Sequence, residues 1–323
     1  MVSRIGMGGM TLEKLRIFLA VAEHLHFTRA AEELYITQPA VSAAIQSLET
    51  DYRIKLFHRI GRHIEITDAG KLLQAEAQKI LEQIALTERG LRELNNLERG
   101  ELQLGSSLTI GNYWLPEKIS KFQRCYPGIS INCTLANTEE IIMGTMSGKF
   151  DIGLVEGEVK SSLKTYLEEK IIGSDRLVII VGRSHPWFKR KKIPITELTT
   201  TEWVMREPGS GTQQRFEEAL QNLGIDPDKL KTILILNTGE MIKAVVESGV
   251  VAAGISELMV KKELQLKTLM AIQLIDDRKT DSSVTLEFVR PFLMLKHQQR
   301  FQTRLSKAFE ELLNSAESDR KIS

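Results

Sequence analysis

Apolar positions in the first seventy residues fall into three short helical sets. Leu12, Leu15, Phe18, Leu19 and Ala22 recur at the i, i+3, i+4, i+7 spacing behind Thr11, a side chain suited to an N-cap, and this helix is expected to end near His26. Thr28 is read as the cap of a second helix, Ala30–Leu34, whose Ala30 and Ala31 permit close packing. After a turn at Tyr35 and Ile36, Thr37 caps a third helix with Pro39 in its first turn and Val41, Ile45 and Leu48 as its buried stripe. The opposite face offers Gln38, Ser42, Ala43 and Gln46, short side chains that suit base edges in a major groove, and the geometry is a helix-turn-helix. Leu56 and Phe57 read as buried, Arg59–Arg62 as a basic turn and His63–Thr67 as a short alternating strand. That is a wing, with Arg59, Arg62 and His63 laid against phosphates or into the minor groove.

From Asp68 to Leu97 the pattern is one long helix capped by Thr67, with Asp68 at its positive end. Leu73, Ala77, Ile80, Ile84, Thr87, Leu91 and Leu94 repeat at steps of four and three, the seam of a coiled coil, and the economical partner is the same helix of a second subunit. Beyond Gly100 the period changes. Leu102–Leu108, Ile129–Leu135, Asp151–Val155, Leu177–Val181, Ile233–Leu236 and Val250–Ile255 read as strands. Trp114–Arg124, Glu139–Ser147, Thr212–Leu223 and Glu240–Ser248 read as amphipathic helices between them. This alternation predicts an α/β domain with a mostly parallel sheet, with Gly249 as a left-handed helix cap. The polar stretch Asp276–Ser283 is the expected second crossing between two lobes.

Composition narrows the class. With 323 residues, 42% hydrophobic and 26% charged, the chain is expected to be a soluble globular protein of two or three domains. The longest uncharged runs, Leu34–Leu48 and Leu102–Pro116, are too short and too polar for a bilayer span, and the first ten residues lack the apolar core of a signal peptide, so the expected location is the cytoplasm. Cys125 and Cys133 have no metal or disulfide spacing and are expected to be buried, and the histidines form no ligand set, so no metal and no cofactor is signalled. The net charge of +1 excludes a whole-surface polyanion binder, yet Tyr52–Ile64 carries Arg53, Lys55, Arg59 and Arg62 and no acid. The loop PGSGT lacks the lysine of a nucleotide-binding P-loop, and no nucleophile, base or paired-carboxylate set marks a catalytic site, so the chain is not read as an enzyme.

The stretches FLAVAEHLHFTRAAEELYITQPAVSAAIQSLE and LFHRIGRHIEITDAG closely resemble the N-terminal domain of the LysR-type transcriptional regulators. The resemblance spans nearly the whole chain. It implies an all-α winged helix-turn-helix at 11–67, a linker and dimerisation helix at 68–98, and an effector-binding domain at 100–323. That last domain is implied to be a two-lobed, periplasmic-binding-protein-like (Rossmann-like) α/β fold, with lobe I about 100–172 and 276–323 and lobe II about 173–275. The DNA contacts that the resemblance implies are Thr28, Gln38, Pro39, Ser42, Arg59 and Arg62, and the residue pattern itself adds Thr37, Gln46 and His63. Two positions depart from the family pattern. Ala43 stands where many members have an arginine that reads guanine, and Arg53 stands where a glycine usually follows the recognition helix, which argues against a left-handed cap and adds a phosphate contact.

The segments GSSLTIGNYWLP and REPGSGT match those lining the inter-lobe cleft in this family. Ser107 with Thr109, and Ser210 with Thr212, each open a helix, so hydroxyls and N-terminal amides from both sides are expected to converge on a small anion or carboxylate. Glu156 is a weaker polar candidate, and Arg206 either joins the ligand or pairs with Glu207 at the surface. The reading is a regulator of promoter DNA that works as a homodimer assembling to a homotetramer and responds to a small-molecule effector, with RNA polymerase as a further partner and no membrane. Two other classes stand beside it. A solute-binding protein or small-molecule enzyme with an N-terminal dimerisation module would have no need of the acid-free basic wing. A ligand-independent DNA binder would show no melting shift with metabolites.

Overall fold

The computed structural model describes residues 9–60, 63–95, 100–190, 192–278 and 288–318. The chain divides into two compact units, Met1–Glu88 and Arg89–Ser323.

In the first unit, α1 (Leu12–His24) begins where Thr11 Oγ1 accepts the Lys14 amide proton at 3.2 Å. The second helix, α2 (Phe27–Glu33), starts earlier than the sequence suggests: its cap is His26, whose Nδ1 accepts the Arg29 amide at 3.4 Å, and Thr28 lies inside the first turn. The cause is Phe27, whose ring packs edge-on to Phe57 at 6.3 Å and draws the start of the helix onto the core. In α3 (Gln38–Tyr52), Thr37 is the cap and Val41, Ile45 and Leu48 are the buried stripe. Arg53 does adopt the left-handed conformation, φ 56° and ψ 36°, against the expectation for a non-glycine residue. That conformation costs about 1–2 kcal/mol, and it closes the helix by setting the Ile54 amide on Glu49 O at 3.1 Å. The Glu49 carboxylate then accepts the Leu56 amide at 2.9 Å and faces Lys55 Nζ at 2.6 Å. The wing follows as β1 (Phe57–Ile60) antiparallel to β2 (His63–Ile66), paired from Phe57↔Ile66 to Ile60↔His63. Helix α4 (Asp68–Asn95) starts at Thr67, whose Oγ1 accepts the Gly70 amide at 3.0 Å.

The second unit opens with β3 (Gly100–Ser107), which leads through a single π turn, Ile110–Trp114, into α5 (Leu115–Cys125). Then come β4 (Ile129–Ala136), α6 (Thr138–Ser147), β5 (Ile152–Glu156) and β6 (Leu167–Gly182). They are followed by β7 (Lys192–Pro194), β8 (Glu202–Arg206), α7 (Gly211–Asn222), β9 (Lys231–Leu236), α8 (Gly239–Ser248) and β10 (Ala252–Ser256). The last elements are α9 (Glu257–Leu266), β11 (Leu269–Ile275), β12 (Phe288–His297) and α10 (Arg304–Ser318).

The strands form one sheet in the order β4-β3-β5-β12-β6-β10-β8-β9, with β11 beside β6 and β7 beside β11. Pairing is parallel within each half, as in β4-β3-β5 and β10-β8-β9, but antiparallel wherever β6 or β12 takes part. The sheet is therefore mixed rather than mostly parallel. The two long strands β6 and β12 run together from Phe288↔Leu177 to His297↔Leu167 and join the halves. One half packs on Leu104, Trp114, Phe122 and Phe309, the other on Trp187, Trp203, Phe216 and Leu220, which makes two lobes with a core each.

Two smaller expectations are corrected. Gly249 is extended, with φ −112° and ψ −170°, because the Ser248 hydroxyl donates back to the Ala244 carbonyl at 2.9 Å and ends α8 without a left-handed residue. Cys125 and Cys133 are exposed, the first at the end of α5 and the second on the outermost strand β4. Of the expected crossing at Asp276–Ser283, residues 279–283 lie outside the described residues. No described helix is long and apolar enough to cross a membrane.

Candidate DNA interface and effector site

Stripe and face separate cleanly on α3. With Val41, Ile45 and Leu48 turned into the core, Gln38, Pro39 and Gln46 are exposed and Ser42 is half-buried. Gln38 Nε2 donates to Ser42 Oγ at 2.8 Å, which pre-orients an amide and a hydroxyl of the kind that read adenine or stand near phosphate. Thr28, Thr37 and Arg53 are exposed as well, and a groove lined by Ser42, Gln46, Lys55 and His58 runs between α3 and the wing. Arg59 and His63 lie on the paired wing strands, but their side chains, and Arg62 altogether, lie outside the described residues. Gln38→Ala or Ser42→Ala is expected to cost about 1–3 kcal/mol at a preferred site and to relax sequence choice. Arg59→Ala should weaken binding to all sequences alike and flatten the salt slope by about one. Gel-shift titrations on specific and random duplexes at several salt concentrations check both.

Along α4, Leu73 packs on the core of the first unit and Ala77 is buried, whereas Ile80 and Leu91 are 39% and 60% exposed and Ile84 is half-buried. The Leu94 side chain lies outside the described residues.

In the effector half, the side chains expected to face a ligand sort into two places. Ser107, Thr109, Glu156 and Thr212 are buried together in a polar node that the sequence did not foreshadow, because its centre is Arg290, only 1% exposed, from β12. Directly across the strand pair stands Asp175 of β6, whose Oδ2 receives Arg290 Nη2 at 2.9 Å and Nε at 3.3 Å. Arg290 Nη1 donates to Thr212 Oγ1 at 3.0 Å and Nη2 to Thr109 Oγ1 at 3.5 Å. Glu156 Oε1 lies 3.6 Å from Nη1, and its other oxygen takes the Ser107 hydroxyl proton. The two helix starts thus already hold a guanidinium between them.

Around the node the lobes touch directly. Gly211 lies so close to β5 that a Cβ there would stand 1.9 Å from Glu156 O and 2.6 Å from Thr138 Oγ1. Thr138 itself donates to Glu156 O at 3.0 Å, the Glu139 amide donates to Gly209 O at 3.2 Å, and the Glu158 amide donates to Gln214 Oε1 at 3.3 Å. Gly209, with φ +88°, makes the turn that brings Ser210 to the head of α7, where its hydroxyl accepts the Gln213 amide at 3.5 Å.

Beside this contact a cavity of about 690 Å³ opens between the lobes, and Ser210 and Arg206 line it together with Thr138. Its walls are apolar at Ile142, Met205 and Leu230, while Glu139, Glu217, Asp228 and Lys160 stand along it. Glu158 lines it too, and a Cβ at Gly209 would stand 3.1 Å from Glu139 Oε2, so the end next to Ser210 combines hydroxyl groups and the start of α7 with a carboxylate. Arg206 is buried, not at the surface, and is held by Glu207 at 2.8 and 2.9 Å and by the Asn237 carbonyl at 3.3 Å. Among the described residues no group of His, Cys, Asp and Glu is placed to hold a metal ion.

A winged helix-turn-helix followed by a long helix and a two-lobed α/β domain defines a class of DNA-binding transcription regulators. Residues 12–71 match the family model described as bacterial regulatory helix-turn-helix protein, lysR family, and residues 95–317 match the LysR substrate binding domain. The chain belongs to the LysR family of bacterial transcriptional regulators. It is 34% identical over 264 residues to a probable RuBisCO transcriptional regulator of Cyanidium caldarium, covering 82% of this chain and 83% of that one. Among solved structures it shares its fold with full-length CbnR complexed with its target DNA, at TM-score 0.69 and 19% identity over 95% of this chain and all of the other (100%). The regulatory domain of CcmR from Synechocystis PCC6803, solved in complex with 2-PG, matches at TM-score 0.57 and 22% identity, covering 67% of this chain and 96% of that domain.

Proposed function

We propose that this regulator binds double-stranded promoter DNA through α3 and the wing, and that a small anionic metabolite held between the effector lobes changes the bend or spacing of that DNA. The observation that carries the reading is the cavity between the lobes, bordered at one end by Ser210, Thr138 and the first turn of α7. Helix starts and hydroxyls of this kind favour negative charge, and the CcmR domain, of similar fold, was solved with 2-PG. In this reading the protein is a cytoplasmic homodimer through α4 that assembles to a homotetramer, meets RNA polymerase at the promoter and catalyses no reaction. The candidate effector contacts are Ser210 and Arg206 directly, with Ser107, Thr109, Glu156 and Thr212 acting from the node behind them.

Lobe closure is linked to DNA geometry by mass action: a ligand that prefers one lobe arrangement shifts the population toward it by no more than its differential affinity. Calorimetry with inorganic phosphate, sulfate and a panel of phosphorylated and carboxylate metabolites is expected to find heat with at least one of them. Ser210→Ala should weaken that binding by roughly tenfold, the loss of one charge-assisted hydrogen bond. No heat with any of them, together with an unchanged footprint on the DNA flanking the gene, would leave the cleft without a sensing role.

A further inference from the structure

The expected anion position between Thr109 and Thr212 is taken by a side chain of the protein itself. We propose that Arg290 is a positioning residue for effector recognition. It is a clasp on the strand pair joining the lobes, and it ties the first helical turn of one lobe to that of the other.

Each part of the clasp has a distinct origin. The guanidinium comes from β12 and is fixed by its cross-strand partner Asp175 on β6, so its anchor lies on the two strands that belong to both lobes. Thr109 comes from the turn after β3 in the first lobe, and Thr212 from the first turn of α7 in the second. Only a planar, multi-donor fork reaches both hydroxyls while keeping its carboxylate; a lysine ammonium is a point charge and does not. The hydroxyls act as acceptors here, so each lobe gains a hydrogen bond to a charged donor only while the lobes stand at this separation.

Thr212 is two residues from Ser210, which lines the adjacent cavity, so the clasp and the cavity share one turn of α7. A ligand entering beside Ser210 meets a turn whose position Arg290 sets, and Arg290 governs the affinity without touching the ligand. Unlike a ligand, the clasp is always present. The lobes are therefore held together before any effector arrives, and the effector acts on an arrangement that is already half made.

This inference takes its purpose from the effector reading, but its test contains no ligand, so the two fail separately. Thr109→Val and Thr212→Val are nearly isosteric and remove one hydroxyl each. Hydrogen exchange on the full-length protein is read at residues 108–112 and 210–214. If Arg290 couples the lobes, either substitution speeds exchange at both segments by roughly tenfold, and the double variant exchanges no faster than the singles. Arg290→Lys, confirmed folded by circular dichroism, should reproduce the same paired loosening. Exchange confined to the substituted lobe, with effects that simply multiply in the double variant, overturns the clasp. So does a folded Arg290→Lys protein that exchanges like wild type.

Discussion

Arg290→Met is expected to destabilise the effector unit by about 3–5 kcal/mol, the usual consequence of breaking a buried ion pair from one side. Methionine nearly matches the length of the arginine stem, so lost volume is a minor part of the effect. The main part is electrostatic: the Asp175 and Glu156 side chains are 2% and 3% exposed, and both would remain in the interior with no cation near them. Thr109 and Thr212 would also lose their donor. Adding Asp175→Asn to the same chain removes one of the two stranded charges and should recover part of the loss, the buried Glu156 carboxylate accounting for the remainder. Urea unfolding followed by tryptophan fluorescence measures this directly. All three tryptophans, Trp114, Trp187 and Trp203, sit in the effector half and report on that unit alone. A single variant within about 1 kcal/mol of wild type, a typical effect for a substitution away from any critical feature, would show that the node is hydrated and that its charges do not depend on each other.

The same node marks where sequence reading stops. The helix-turn-helix is legible because its information is local: an apolar stripe at helical period, a threonine before α1 and α3, and a proline in the first turn. Ser107, Thr109, Ser210 and Thr212 are visible as candidates for the same reason, as small polar residues at strand-to-helix turns, although Thr109 and Thr212 are taken up by Arg290. Arg290 and Asp175 carry no such signal. Asp175 lies in IIGSDRLV, where Gly-Ser-Asp has the composition of a turn and hides the continuity of β6, so the pattern starts the strand at Leu177 when it starts at Leu167. Arg290 precedes a proline and an apolar run, with no local pattern to mark it as the most buried cation among the described residues of the domain. What buries both is the antiparallel pairing of β6 with β12, a contact between segments more than a hundred residues apart that no local pattern contains. Arg53 is the converse case. Its residue type argues against the left-handed conformation it adopts, and the hydrogen bonds that hold it there come from Glu49, one turn back.

Placing Glu at both Ile80 and Ile84 is expected to dissociate the homodimer proposed to form through α4. The helix Asp68–Asn95 is long, and in the single chain Ile80 is 39% exposed and Leu91 60% exposed, apolar surface set at the steps of four and three that a partner helix covers. Fully burying an exposed isoleucine is worth about 1.5–3 kcal/mol; Ile80 and Ile84 are already partly covered in the single chain, so each site gains a fraction of that, and a two-fold interface takes it twice. Glutamate reverses it, because like charges from the two subunits would meet across the seam. Leu72 supplies the control: it is 68% exposed on the same helix but lies off the seam, so Leu72→Glu should leave the assembly unchanged. Sedimentation velocity at fixed protein concentration distinguishes the three proteins. The effect should carry through to DNA. Two recognition helices on one dimer raise each other's effective concentration at paired half-sites, and the double variant should lose affinity for a paired site far more than for an isolated half-site. A double variant that sediments with wild type and keeps its preference for paired sites would place the dimer contact elsewhere in the chain.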